Sequence, residues 1–226
     1  MTHAADDVVF DGALQRSSPL DRARLLAITA PYASSWLCDP ALMDDASHAA
    51  ASKMRRGQPL TDRYPLRCHC GADLRNNPWH ILSHPGGPLR NLRHDRVRDA
   101  IASWVKMVGG RAWIEPRQDV WHDDRRPDIR VALGADVFQL DISIPHPTGA
   151  NYTAIASRGQ LGAAEHAAKL KVQKYDAMCR TEGSTFVPFI VETYGGFCKA
   201  AQDFMKRLSK HAGTHSTLVT ASGLIT

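Results

Sequence analysis

The sequence is short of several things whose absence narrows its class. Its 226 residues hold only five cysteines, and aromatic residues make up 7%. Five is an odd number, and only Cys68 and Cys70 are close together. That is not the paired framework of a small secreted domain. No apolar run approaches the ~20 residues that a membrane-spanning helix needs, so a membrane is excluded as partner. The opening MTHAADDVVF is acidic and lacks the positive-then-apolar order of a signal peptide. Internal repeats and low-complexity tracts are absent, and no small-molecule cofactor is expected. Together these absences predict a soluble intracellular chain with reduced thiols.

What is present is ordinary globular material, 43% hydrophobic and 23% charged. The length suits one domain with an appendage or two small domains, with enough chain to bury a core without disulfides. The net charge of +5 is uneven. Residues 51–130 carry 16 Lys and Arg against 9 Asp and Glu, a local excess of 16 − 9 = 7. A phosphate-tracking surface needs such an excess, although a plain solvated surface also accommodates it.

Periodicity predicts the order of elements. Residues 1–60 read as a helical connector, with a short helix over 19–28 and an alanine-rich one over 41–54. Met43-Asp44-Asp45 superficially matches a polymerase metal motif, but lacks the preceding aromatic and sits in helical context, so it is set aside. Val97, Ile101, Trp104, Val105 and Val108 fall on one helical face, stopped by Gly109-Gly110. Strands are expected at 112–114, 128–133 and 137–144, the last two joined as a hairpin by Gly134-Ala135-Asp136. A polar loop over 145–160 leads to a helix over 160–179 with Leu161, Ala164, Ala168, Val172, Tyr175 and Cys179 as its apolar stripe. A strand over 186–192 follows. The last helix has Phe197, Ala200, Ala201, Phe204 and Leu208 on one face. This order describes an α/β domain, a central mixed β-sheet flanked by helices.

Two features carry chemistry. Asp128 starts one strand of the expected hairpin, and Asp141 sits within its partner among Val137, Phe138, Leu140, Ile142 and Ile144. A carboxylate inside so apolar a run is costly to bury unless it is paired or binds a cation. Two carboxylates meeting across a hairpin make a hard, oxygen-rich site suited to Mg²⁺ or Mn²⁺. A nearby lysine would stabilise developing charge. Strand-end aspartates at turns and surface lysines would give the same composition without a site. Glu115, before Pro116, reads either as a third acid or as a turn residue.

The second feature is Cys68, Cys70, His80 and His84, spaced C-x-C-x9-H-x3-H. Two thiolates and two imidazoles form a soft tetrahedral set suited to structural Zn²⁺. The histidines are four apart, on one face of a helical turn. Residues 61–90 are too poor in apolar side chains to order themselves, which favours a metal over free thiols and loop histidines. His69 is expected to be exposed rather than a ligand.

With these residues in hand, the sequence resembles the PD-(D/E)XK nuclease superfamily. Within it, the similarity is to the restriction-like endonuclease at the C-terminal end of site-specific non-LTR retrotransposon polyproteins. The matching residues are Arg126-Pro127-Asp128, then Asp141-Ile142-Ser143 thirteen residues on, then Lys171-Val-Gln-Lys-Tyr175. The simplest family pattern has its lysine where Ser143 stands. The retrotransposon branch carries it on the following helix, which implies Lys171, with Lys169 and Lys174 as rivals on other helical faces. Cys68-His-Cys70-Gly71, His80-Ile-Leu-Ser-His84, Gly86-Gly87 and Arg93-His94-Asp95 resemble the segment before that nuclease, with His84 where cysteine is usual. The early part, with Trp36-Leu37 and Arg55-Arg56-Gly57, looks like the connector after a reverse transcriptase.

The resemblance implies a restriction-endonuclease-like fold and a nuclear, Mg²⁺- or Mn²⁺-dependent endonuclease cutting DNA, with RNA as the other candidate. Asp128, Asp141 and Lys171 would be catalytic, and Arg93, His94, Arg96 and Arg126 would hold nucleic acid. Arg93 and His94 are expected to open the first nuclease helix. The implied organisation is a connector over 1–60, a zinc knuckle over 61–90, a nuclease domain over 91–212 and a tail over 213–226. The competing expectations are an inactive zinc-stabilised nucleic-acid-binding module left by an eroded retroelement, or an interaction domain with neither metal nor nucleic acid.

Overall fold

The computed structural model describes residues 2–35, 44–59, 66–75, 79–84, 88–116 and 126–215. The readings placed on Trp36, Leu37, Cys38, Met43, Gly86, Gly87 and the tail beyond 215 lie outside these. In chain order the elements are α1 (Thr2–Arg16), α2 (Pro19–Ile28), α3 (Asp45–Arg55), α4 (His80–Ser83), α5 (Pro88–Met107), β1 (Arg111–Ile114), β2 (Ile129–Leu133), β3 (Asp136–Ser143), α6 (Thr153–Ala156), α7 (Gly162–Thr181), β4 (Thr185–Ile190) and α8 (Lys199–His215). Among the described residues, no helix is long and apolar enough to cross a membrane.

The chain divides into two compact units. One comprises Met1–His84, Pro145–Ala163 and Glu192–Gly196, and the other Pro85–Ile144, Ala164–Val191 and Phe197–Thr226. The second unit holds a four-stranded mixed sheet in the order β1-β2-β3-β4. The first three strands form an antiparallel meander, and β4 adds parallel to β3 through a crossover that includes α7. Strand alternation sorts the side chains to two faces. Ile129, Val131, Leu133, Phe138, Leu140, Ile142 and Phe189 share one face and are all buried. Ile101 and Val105 of α5, Val108 just after it, and Phe204 and Leu208 of α8 are buried as well. Phe204 stands edge-on to Phe138 at 5.6 Å and to Phe189 at 6.3 Å. Gly110 lets α5 turn closely into β1. A Cβ there would meet Leu133 Cδ2 at 2.6 Å and Val105 Cγ1 at 2.9 Å.

The first unit is helical and irregular. Ala23 of α2 packs with Ala156 and Ala163, where small side chains allow close approach. Met54 and Trp79 form a second cluster with Ala50 and Leu82, and Arg24 lies over the Trp79 ring at 5.7 Å. Arg55 is buried and donates to the carbonyls of Ala33 and Ile28, each at 2.8 Å, and to Ser34 Oγ at 2.6 Å.

Three sequence expectations change. Arg93 and His94 do not open a helix: α5 begins at Pro88, a residue suited to a first turn, so both lie in its second turn. The supposed polar loop over 145–160 buries Pro145 to Thr148. There His146 hydrogen-bonds Thr193 Oγ1 at 2.6 Å through Nδ1 and Thr148 Oγ1 at 2.7 Å through Nε2, which satisfies its burial. Val172 is 40% exposed and is not part of the α7 stripe.

Leu140 is fully buried at the middle of the sheet. Leu140→Ala is expected to lower unfolding stability by about 2–5 kcal/mol through the cavity it leaves, read as a drop in urea midpoint without a change in slope.

Candidate functional site

The sheet carries the first candidate site on its other face. Asp141 lies within β3, and Asp128 sits one residue before β2, where its amide donates to the Leu140 carbonyl at 2.9 Å and so stands beside the Leu140–Asp141 step. Likewise Ile114 pairs with Ile129, and the Glu115 amide donates to the Asp128 carbonyl at 2.8 Å. Glu115 and Asp128, each one residue beyond its strand, and Asp141 within β3 therefore gather at one end of the sheet. Asp128 is held at the mouth of the hairpin. The Ile142 amide donates to its Oδ2 at 2.5 Å, and His94 Nε2 lies 3.3 Å from the same oxygen. Because a carboxylate only accepts, the imidazole donates here, and that bond raises the His94 pKa above its ordinary value against the opposing effect of burial.

Asp141 is buried, its side chain 7% exposed, and Lys171 Nζ reaches its Oδ2 at 2.6 Å. Burial pushes the Asp141 carboxyl above its usual value, and the Lys171 ammonium opposes this. For Lys171 burial acts downward, but attraction to Asp141 prevails and the amine is held above its ordinary value, charged. Lys169 and Lys174 are exposed. Lys174 lies over the Tyr175 ring at 4.8 Å. Of the three lysines, Lys171 is the one that the structure pairs with one of these acids. The reason is helical phase. The buried line of α7 runs Ala164, Ala168, Tyr175 and Cys179, and Lys171 falls on it, four residues before Tyr175. That signal was present in the sequence, but was obscured by assigning the position to Val172.

A second cluster gathers at Glu115, whose backbone takes φ +43°. Its two carboxylate oxygens receive Arg98 at 2.9 Å and Arg126 at 2.8 Å. Arg98 also meets Asp95 at 3.1 Å and Asp99 at 3.0 Å. Neither Arg98 nor this clamp was singled out from sequence. The signal was the Asp95-x-x-Arg98-Asp99 spacing, four residues after His94 on the same helical face. Of the other basic candidates, Arg93 is half-buried, which pulls its pKa down, and Arg96 is exposed on α5.

The third arrangement lies in the other unit. Leu66 to Arg75 forms a tight hairpin, with Arg67 bridged to Asp73, the Cys68 amide donating to Ala72 at 2.9 Å and the Gly71 amide donating to Cys68 at 2.8 Å. Gly71 takes φ +90°, which a side chain would resist. This turn points both thiols toward α4. The ligand atoms of Cys68, Cys70, His80 and His84 all lie within 4.8 Å of one another, and Cys70 Sγ is 3.1 Å from His80 Nε2. Tetrahedral zinc with thiolate and imidazole ligands has edges of about 3.3–3.8 Å, so the four could hold a metal ion with small adjustments. His69 is exposed, and its ring lies 4.7 Å from that of His84. The four described cysteines are free thiols, and burial pushes Cys179 up to about 11, which makes it inert.

Lys171→Met is expected to destabilise the chain by about 1–3 kcal/mol at neutral pH, less than a fully buried pair would lose because the lysine is partly exposed. It leaves the buried Asp141 carboxylate without its cation, so the folded state binds a proton more readily than the unfolded one. The penalty should therefore shrink as pH falls, measured by urea unfolding of both proteins across pH.

No family model matches the chain. The chain is 27% identical over 234 aligned positions to the retrotransposable element SLACS 132 kDa protein of Trypanosoma brucei gambiense. The alignment takes in the whole of this chain but 20% of that protein's length.

Proposed function

We propose that this chain is a retroelement-derived, metal-dependent endonuclease acting on DNA, with a zinc knuckle beside it. The observation that carries the reading is the meeting of Asp128 just before β2, Asp141 of β3 and Lys171 of α7 at one end of the sheet. A buried carboxylate inside an apolar strand, faced by a second acid and a lysine, has no packing value that a leucine would not exceed. The similarity to a retrotransposable element protein supports the origin. The chain covers a fifth of that protein, so its activity, its DNA partner and a nuclear location are part of the proposal.

The donor set fits the ions invoked. Asp128 and Asp141 offer carboxylate oxygens, as Mg²⁺ and Mn²⁺ prefer, and would hold one between them. Such an ion supplies charge neutralisation at a phosphoryl oxygen and lowers the pKa of water. The protein supplies the rest. Lys171 brings a held positive charge to the place where negative charge develops on phosphorus. His94 and the Ile142 amide fix the Asp128 rotamer. Arg126, 57% exposed and paired with Glu115, is placed to meet a backbone phosphate. Cys68, Cys70, His80 and His84 would hold structural zinc, which orders a segment with little core of its own.

Nicking of supercoiled plasmid in Mg²⁺ or Mn²⁺ is expected, and Asp128→Ala and Asp141→Ala should each reduce it by at least about a hundredfold, as loss of a transition-state group does. Nicking that persists in both variants would sink the reading. DNA binding that weakens with salt, with no cleavage in any divalent ion, would instead favour the inactive binding module.

The purified chain should contain zinc by elemental analysis. Cys70→Ser and His80→Ala should lose it and expose residues 66–84 to proteolysis. A chain free of zinc, with equal protease resistance in wild type and variants, would remove the knuckle from the proposal.

A further inference from the structure

Among the described residues, the sheet face that carries the acids continues to β1, the end strand of the sheet. In register, Trp113 of β1 sits opposite Arg130 of β2, Arg130 opposite Gln139 of β3, and Gln139 beside Phe186 of β4. Gln139 and Asp141 share a face of β3, because strand residues two apart do, so this row adjoins the end of the sheet where Asp128 and Asp141 lie. Burial falls along it from Gln139 to the β1 end. Phe186 lies under the Tyr175 ring of α7 at 5.4 Å, and Gln139 is fully buried with its Nε2 3.4 Å from Glu182. Arg130 is half-buried, and Trp113 is 43% exposed. Helix α7 thus roofs the β3–β4 half of the face and leaves the β1 end open beside the acids. On that open end the Arg111 guanidinium lies over the indole, 5.4 Å from its ring.

We propose that Trp113 is a stacking platform for an unpaired base of the DNA strand whose phosphate is presented to Asp128 and Asp141; this rests on the reading that these acids take DNA. Three observations point to that occupant. Two guanidinium groups adjoin the ring, Arg111 over it and Arg130 opposite it in register, which matches a phosphate backbone better than an apolar partner. An aromatic face with an adjacent guanidinium accepts any base by stacking and cation–π attraction. The distance also fits. Adjoining rows lie about 7 Å apart along the strands, and each strand step adds about 4.8 Å, which sets the indole about one or two nucleotides from the acids. A base locked in a duplex hides its face, so the platform selects DNA that is unpaired next to the scissile phosphate. Such substrates include single strands, flaps and melted junctions, and exclude a continuous blunt duplex.

The test reads binding without cleavage, in the full chain with its zinc retained and Ca²⁺ in place of Mg²⁺ or Mn²⁺. Fluorescence anisotropy would compare a short single-stranded oligodeoxynucleotide with a blunt duplex of the same sequence. Trp113→Ala should raise Kd for the single strand about tenfold and leave the duplex nearly unchanged, while Trp113→Phe should restore most of the loss. Unchanged single-strand affinity in Trp113→Ala overturns the proposal, and so does an equal loss on both DNAs. A switch from dimer to monomer by light scattering, with single-strand affinity intact, would assign the same edge to β1 pairing between copies and also overturn it. Trp113-dependent single-strand binding by a chain that cuts nothing would support the platform while the nuclease reading failed.

Discussion

The structure around the three acids is organised by one costly fact, the carboxylate of Asp141 inside a buried strand. Its neighbours Leu140 and Ile142 point into the core, so β3 cannot shift by one residue without driving both into the opposite face and Asp141 into apolar packing. The carboxylate is tolerable because Lys171 meets it, and Lys171 reaches it because α7 turns that one charged residue inward between Ala168 and Tyr175. Backbone bonds from Asp128 to Leu140 and from Glu115 to Asp128 in turn hold these two acids at the same end of the sheet. Two arginines and a histidine then balance the acids, Arg98 and Arg126 on Glu115 and His94 on Asp128. The excess of negative charge at one end of the sheet is thus held in place by cations from α5, α7 and the segment before β2.

The cysteine–histidine cluster is a different solution to a shortage of core. Near it the described apolar packing includes Leu74 of the hairpin and the small cluster of Met54, Trp79, Ala50 and Leu82. A hairpin over 66–75 and a single turn of helix cannot be held by so little. Four soft ligands converge there from the two pieces, and a metal ion held by them would supply a cross-link. Under the proposed function the two candidate sites would draw on metals for different reasons, the acids for chemistry and the cysteine–histidine cluster for order.

Much of the sheet unit was readable in advance because strand and helix periods are local. The alternation through Val137–Ile144 and the turn at Gly134 marked the hairpin, and the α5 stripe at Ile101, Val105 and Val108 gave the helix against it. The start of α5 was not readable, because Pro88 follows a run of Pro and Gly that looks like loop from either side. His146 was missed because a histidine amid Pro and Thr looks like surface. Its burial is made possible by Thr193, forty-seven residues away, and no local pattern reveals that partner.

The sequence by itself determined which residue types are available for chemistry: two aspartates one hairpin apart, a helix of lysines, and four soft ligands at metal spacing. Tertiary structure decided which of them meet. It picked Lys171 over Lys169 and Lys174 by the rotational phase of α7 against β3, since neighbouring helical residues point about 100° apart and only one phase faces the carboxylate. It drew Arg98 to Glu115 and left Trp113 open at the sheet edge, because pairing between strands and the reach of a covering helix are properties of packing and not of spacing along the chain.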